Sequence, residues 1–86
     1  MKKVKETPLN TPEKFRQATL HDVQTAQHGD EFYSLEGDKW RANGKPKLWK
    51  RSPDRVELPV KFGLYDYGYI REGDIRAGIV FIRIDW

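Results

Sequence analysis

The sequence predicts an α+β fold, predominantly β: a small antiparallel sheet or barrel of five to six short strands, with one N-terminal helix and a flexible N-terminal tail. Three observations lead there. Val56, Leu58, Val60 and Phe62 alternate with polar or imino residues, as do Tyr65, Tyr67 and Tyr69 with Asp66 and Gly68, which is the period of a half-buried strand. Glycine, proline and Asn-Gly turn signals recur at short intervals after Gly29. Only residues 12–27 carry apolar side chains at helical spacing. The chain has 86 residues, the size of one domain. We expect a basic tail over 1–10 and one globular domain over 11–86.

Each element follows from local chemistry. Residues 1–10 lack periodicity and contain Pro8 and Asn10. Thr11-Pro12-Glu13 is a helix start: a capping side chain, a proline at the first helical position and an acid at the positive end of the dipole. Phe15, Ala18, Thr19, Val23 and Ala26 then fall near one face, with His28 and Gly29 as C-terminal signals, so a helix is expected over 12–27. Asp22 and Thr19 weaken that stripe, and a strand near 18–24 is the rival. A strand follows at 31–35, then a turn at Glu36-Gly37-Asp38. Asn43-Gly44 predicts a two-residue hairpin, because both residues accept positive φ. In that hairpin Ala42 faces Lys45, Arg41 faces Pro46 and Trp40 faces Lys47. Pro46 and the lysines at 45, 47 and 50 mark the returning arm as an edge strand. Ser52-Pro53-Asp54 and Glu72-Gly73-Asp74 are predicted turns. Residues 78–86, with Ile79, Val80, Phe81 and Ile82 in sequence, read as a strand covered on both faces.

Composition removes several chemistries. With no cysteine there is no disulfide and no thiolate, which fits a reducing cytoplasm. The eleven aromatic residues must supply much of the core. No apolar run approaches the roughly 20 residues that span a bilayer. Residues 1–5 are basic like a signal n-region, but no apolar stretch follows. A cytoplasmic protein is expected. The two serines, Ser34 and Ser52, lie in a strand and before a proline, and neither sits in a nucleophile elbow. His21, Asp22, His28, Asp30 and Glu31 match no metal-ligand spacing. Pro53-Asp54 with 57–61 lacks the spacing of a nuclease carboxylate set. Gly63-Leu64-Tyr65 with Tyr69-Ile70 superficially resembles the paired motif of the GIY-YIG nucleases, but the separation is much too short and no glycine follows Ile70. No phosphate-binding glycine loop precedes a helix. No catalytic residue, metal or cofactor is expected.

Charge is segregated. Residues 17–38 contain five Asp/Glu and no Lys/Arg; residues 39–61 contain eight Lys/Arg and two Asp/Glu. The overall formal charge of +3 hides this. In the basic block, cations interleave with tryptophans. Lys39, Trp40, Arg41, Lys45, Lys47, Trp49, Lys50 and Arg51, with Tyr65 and Tyr67 further on, are therefore the candidate nucleic-acid contacts. Cations would meet phosphates, and Trp49 or Tyr65, Tyr67 and Tyr69 would stack on bases. The same rings could instead line the core. The main alternative is a small protein-binding regulator or inhibitor docking through its aromatic and charged surface, since Trp, Tyr and Arg dominate interface hot spots. In size and in lacking cysteine and catalytic motifs the chain resembles small bacteriophage accessory proteins in style, without a motif that identifies a family. A homo-oligomer with acidic block on basic block is a third arrangement.

Overall fold

A computed structural model describes residues 5–84. A short 3₁₀ turn at Pro12–Lys14 leads into β1 (Phe15–Gln17), α1 (Leu20–Gln24), β2 (Glu31–Tyr33), β3 (Lys39–Ala42), β4 (Lys47–Trp49), β5 (Ser52–Lys61), β6 (Tyr67–Arg71), α2 (Glu72–Arg76) and β7 (Phe81–Arg83). The described strands form one antiparallel sheet of seven, in the order β1-β7-β2-β3-β5, with β4 and β6 both on β5. The mostly-β class holds. Among the described residues the strands are seven, the helices two and short, and the pairing path is an open sheet with no closure into a barrel.

Strand β5 organises the sheet. Along one edge it pairs with β6, from Glu57↔Arg71 to Lys61↔Tyr67. Residues Glu57, Val60 and Lys61 also pair with Lys47, Ala42 and Arg41. A strand has two edges, so β3 and β4 must lie end to end along the edge opposite β6. The predicted alternation is present: Val56, Leu58 and Val60 are buried, with Leu58 at 0% exposure. They join Phe32, Ala42, Ile70, Val80 and, from the α1 region, Ala18, Val23 and Ala26 in one core.

The predicted helix over 12–27 does not form as one element. Thr11 does not cap it; its hydroxyl donates to the Thr7 carbonyl. Phe15 is instead drawn into β1, buried with its ring edge-on to Tyr33 at 5.3 Å and opposite Arg83 on β7. The two residues that weakened the helical stripe start a new helix. Thr19 accepts the Asp22 N–H at 3.2 Å while the Asp22 carboxylate accepts the Thr19 N–H at 2.8 Å, a reciprocal cap for α1. The rival strand at 18–24 is absent too; the strand lies earlier, at β1. The Glu72-Gly73-Asp74 turn is replaced by α2, whose Asp74 carboxylate accepts the Arg71 N–H. The tail expectation divides. Residues 1–4 lie outside the described residues. Residues 5–10 contact the body: Lys5 pairs with Asp38 at 2.7 Å, and Glu6 bonds both Lys14 and Arg83. They run close over Gly37, where φ is +81° and a Cβ would lie 2.6 Å from the Glu6 carbonyl oxygen, so only glycine fits both the turn and the contact.

Asp22 also holds Arg16 in a two-pronged pair at 2.7 and 3.1 Å. The Arg16 guanidinium and then the Thr19 donors outweigh burial and hold the carboxyl down at about 2, against an ordinary 3.8. A depressed carboxyl stabilises the fold above pH 3.8 and loses that contribution as pH falls through about 2. Replacing Asp22 with asparagine should therefore cost about 1 kcal/mol near neutral pH, from cap and pair together. The gap from wild type should shrink as the pH approaches 2. Thermal unfolding across that range measures it; a gap that widens in acid would refute the assignment.

The hairpin at Asn43-Gly44 is the largest correction. Strand β3 pairs with β2 through Glu31↔Arg41 and with β5 through Arg41↔Lys61, so both its edges are occupied. The arm at 45–50 cannot lie beside it. The Asn43 N–H donates to the Pro59 carbonyl, and Gly44, at φ +128°, lets the chain pass Pro59. The expected Ala42–Lys45, Arg41–Pro46 and Trp40–Lys47 facings are replaced by Ala42↔Val60, Arg41↔Lys61 and Lys47↔Glu57. The tight hairpin is one element later: β4 turns at Lys50-Arg51 into β5, pairing Trp49 with Ser52. The predicted Ser52-Pro53-Asp54 turn is thus the start of β5, with a register shift between Leu48 and Trp49 absorbing the extra residues. Strand β4 is an edge strand, as Pro46 and the lysines indicate.

Candidate nucleic-acid interface

Directly paired residues in an antiparallel sheet project to the same side. Following the register therefore sorts the side chains. The core side takes Phe32, Trp40, Ala42, Val56, Leu58, Val60 and Ile70. The other side takes three rows. In the first, Lys39 and Arg41 on β3 stand beside Lys61 on β5 and Tyr67 on β6. In the second, Pro59 faces Tyr69. In the third, Lys47, Glu57 and Arg71 cross β4, β5 and β6. Trp49 extends this row, with the Lys47 ammonium 5.0 Å and the Arg55 guanidinium 4.1 Å from its ring. Nothing described covers this part of the sheet. At the far end, by contrast, Phe15 is buried and the Glu6 carboxylate binds Arg83.

The tyrosine rings face outward. Tyr67 is 61% exposed and Tyr69 53%. Each has a cation beside it: Lys61 Nζ lies 5.8 Å from the Tyr67 centroid, and the Arg71 guanidinium 5.1 Å from that of Tyr69. Lys39, Arg41 and Lys61 converge with Gly63 and Leu64 around a recess of about 340 Å³ next to Tyr67. The face is not uniformly basic. Glu31 bonds Lys39 at 3.1 Å and Arg41 at 3.3 Å. Burial works to raise the Glu31 carboxyl, and hydrogen bonds from Lys39 and Arg41 together outweigh it and leave it below its ordinary value. Glu57 accepts from Arg71 Nε at 3.0 Å. Lys47 and Lys61 make no ion pair among the described residues. Six cations (Lys39, Arg41, Lys47, Arg55, Lys61, Arg71) thus share the face with two carboxylates, Glu31 and Glu57, giving a basic field in which both acids are already paired.

The sequence-predicted residues separate accordingly. Lys39, Arg41, Lys47, Trp49 and Tyr67 lie on the open face. Trp40 is on the opposite side, half-buried and packed against the core, because it sits one residue out of phase with Lys39 and Arg41. Lys45, Lys50 and Arg51 are in the loops flanking β4, and Tyr65, 88% exposed, is in the turn before β6. Arg71 was missed, although it has the same parity as Tyr67 and Tyr69 and the alternation of β6 could have found it. Among the described residues no group of three or more His, Asp or Glu could hold a metal ion, and no helix is long and apolar enough to cross a membrane. No protein-family model, curated protein or solved structure matches this chain.

Proposed function

We propose that the protein binds nucleic acid, without catalysis, through the open face of the sheet. The observation that carries this reading is the pair of outward-facing rings, Tyr67 and Tyr69, set beside the Lys39–Arg41–Lys61 recess. Phosphates need clustered cations, and bases or sugars need exposed rings. Here both lie on one continuous surface, with Lys47, Trp49 and Arg55 extending it. The test is fluorescence anisotropy with single- and double-stranded DNA and RNA over a salt series. Binding that weakens steeply with salt is expected. No binding at about 50 mM salt with protein raised to about 100 μM would overturn the reading, since nonspecific contacts of this kind typically give dissociation constants of about 10⁻⁴–10⁻⁶ M at physiological salt and tighter ones below it.

A second reading, docking on a partner protein, is favoured by a different surface. Leu48 on the edge strand β4 is 55% exposed and joins Ala26, His28, Lys45 and Pro46 around a groove of about 610 Å³. The same salt series separates the readings, because this one expects neither nucleic acid to bind.

A further inference from the structure

We infer that the open face takes single-stranded nucleic acid, with one base on Tyr67, the next on Tyr69 and a flanking phosphate in the Lys39–Arg41–Lys61 recess; this rests on the binding reading above. Ring spacing supports it. Tyr67 and Tyr69 are two residues apart on one strand, so their attachment points are about 6.8 Å apart. Stacked bases in a duplex are about 3.4 Å apart along each strand. Two neighbouring bases can occupy both rings only when drawn out to about twice that spacing, which an unpaired strand does readily and a duplex only by unstacking a base step at a cost of a few kcal/mol. Gly68 between the rings projects to the core side and adds nothing between the two seats. Pro59 beside Tyr69 contributes a flat apolar floor.

Shape excludes the usual way into a duplex. Strands β2, β3, β5 and β6 set side by side make a face about 15 Å across, wider than the roughly 12 Å major groove. The helices of five residues each are too short to read a groove, and both are committed to the body: α1 through Val23 in the core, α2 through its packing on β5 and β6. Charge agrees. The two carboxylates of the face, Glu31 and Glu57, are already held by Lys39, Arg41 and Arg71, while Lys61, beside the Tyr67 ring, makes no ion pair among the described residues. The phosphate flanking the base on Tyr67 lies where Lys61 can reach it.

The experiment compares fluorescein-labelled oligothymidylate of about ten nucleotides, within the usual single-strand site size, with a blunt duplex of equal length at one salt concentration. Wild type, Tyr67→Ala/Tyr69→Ala and Tyr67→Phe/Tyr69→Phe are measured side by side. Both rings are exposed, so circular dichroism should show the fold unchanged. The single strand should bind at least tenfold more tightly than the duplex. The alanine pair should lose about 30-fold or more in single-strand affinity, with little change in the salt slope, and the phenylalanine pair should restore most of it. Equal affinity for duplex, or an alanine pair that binds the single strand as wild type does, would overturn this inference while leaving nucleic-acid binding standing. Failure to bind either oligonucleotide would overturn both.

Discussion

Leu58→Ala should destabilise the protein by about 2–5 kcal/mol, the largest effect of any single substitution considered. Leu58 is 0% exposed and lies at the middle of β5, opposite Ile70, which is 1% exposed. It also shares the core with Val23 of α1. Most of the core around it is β-branched and stiff at χ1 (Val23, Val56, Val60, Ile70 and Val80), and three further positions are alanines, Ala18, Ala26 and Ala42. The hole left by truncation therefore has little flexible bulk to collapse into it. A domain of this length has a total stability of about 4–13 kcal/mol, so the variant should lose a large share of it. Urea denaturation followed by tryptophan fluorescence should show a midpoint lower by about 1 M or more. A loss under about 1 kcal/mol would mean that the core is not centred on β5.

Neutralising the open face should have the largest effect on binding. Arg41, Lys47 and Lys61 changed together to glutamine remove three cations spread along the face, two of which make no ion pair among the described residues. For a single strand each phosphate contact contributes about 0.7 to the log–log salt slope, so the slope should flatten by about 2. The same arithmetic gives about a 100-fold loss at 0.1 M salt relative to a 1 M reference. Lys45, Lys50 and Arg51 changed to glutamine provide the comparison. They carry the same charge but sit in the loops around β4. The face variant should lose more affinity than the loop variant. Equal losses would show that binding follows net charge alone, and the register of the face would then have no part in it.

Much of this surface is legible in the sequence through parity. The alternation at Val56, Leu58 and Val60 identifies a half-buried strand. The alternation at Tyr67 and Tyr69 identifies a second, and the lysines with Pro46 mark an edge. Parity cannot say which face is covered. That depends on β5 and β6 aligning Leu58 with Ile70, and so turning both tyrosines outward. Partner choice was also hidden. Asn43-Gly44 carries a strong local hairpin signal, but Ala42 gains more by entering the core between Asp30 and Val60 than by closing on Lys45. Local turn preference loses to long-range pairing there. The helix over 12–27 failed for a readable reason. Thr19 and Asp22, spaced as a cap, interrupt the stripe, and Phe15 before them finds a strand partner more than sixty positions away.

That distant partner bears on how the chain reaches its native state. Strand β7 lies between β1 and β2, both of which are made long before it. As the chain folds, β2, β3, β5 and β6 can assemble on short connections while β1 has nothing to pair with. Its docking awaits residues 81–83, and with them the seat for Glu6 on Arg83. Closing a loop of that length costs about 4 kcal/mol of chain entropy before its contacts form. The strands that carry Tyr67 and Tyr69 and their partners should therefore form first, with β1 and the Glu6 contact among the last to settle.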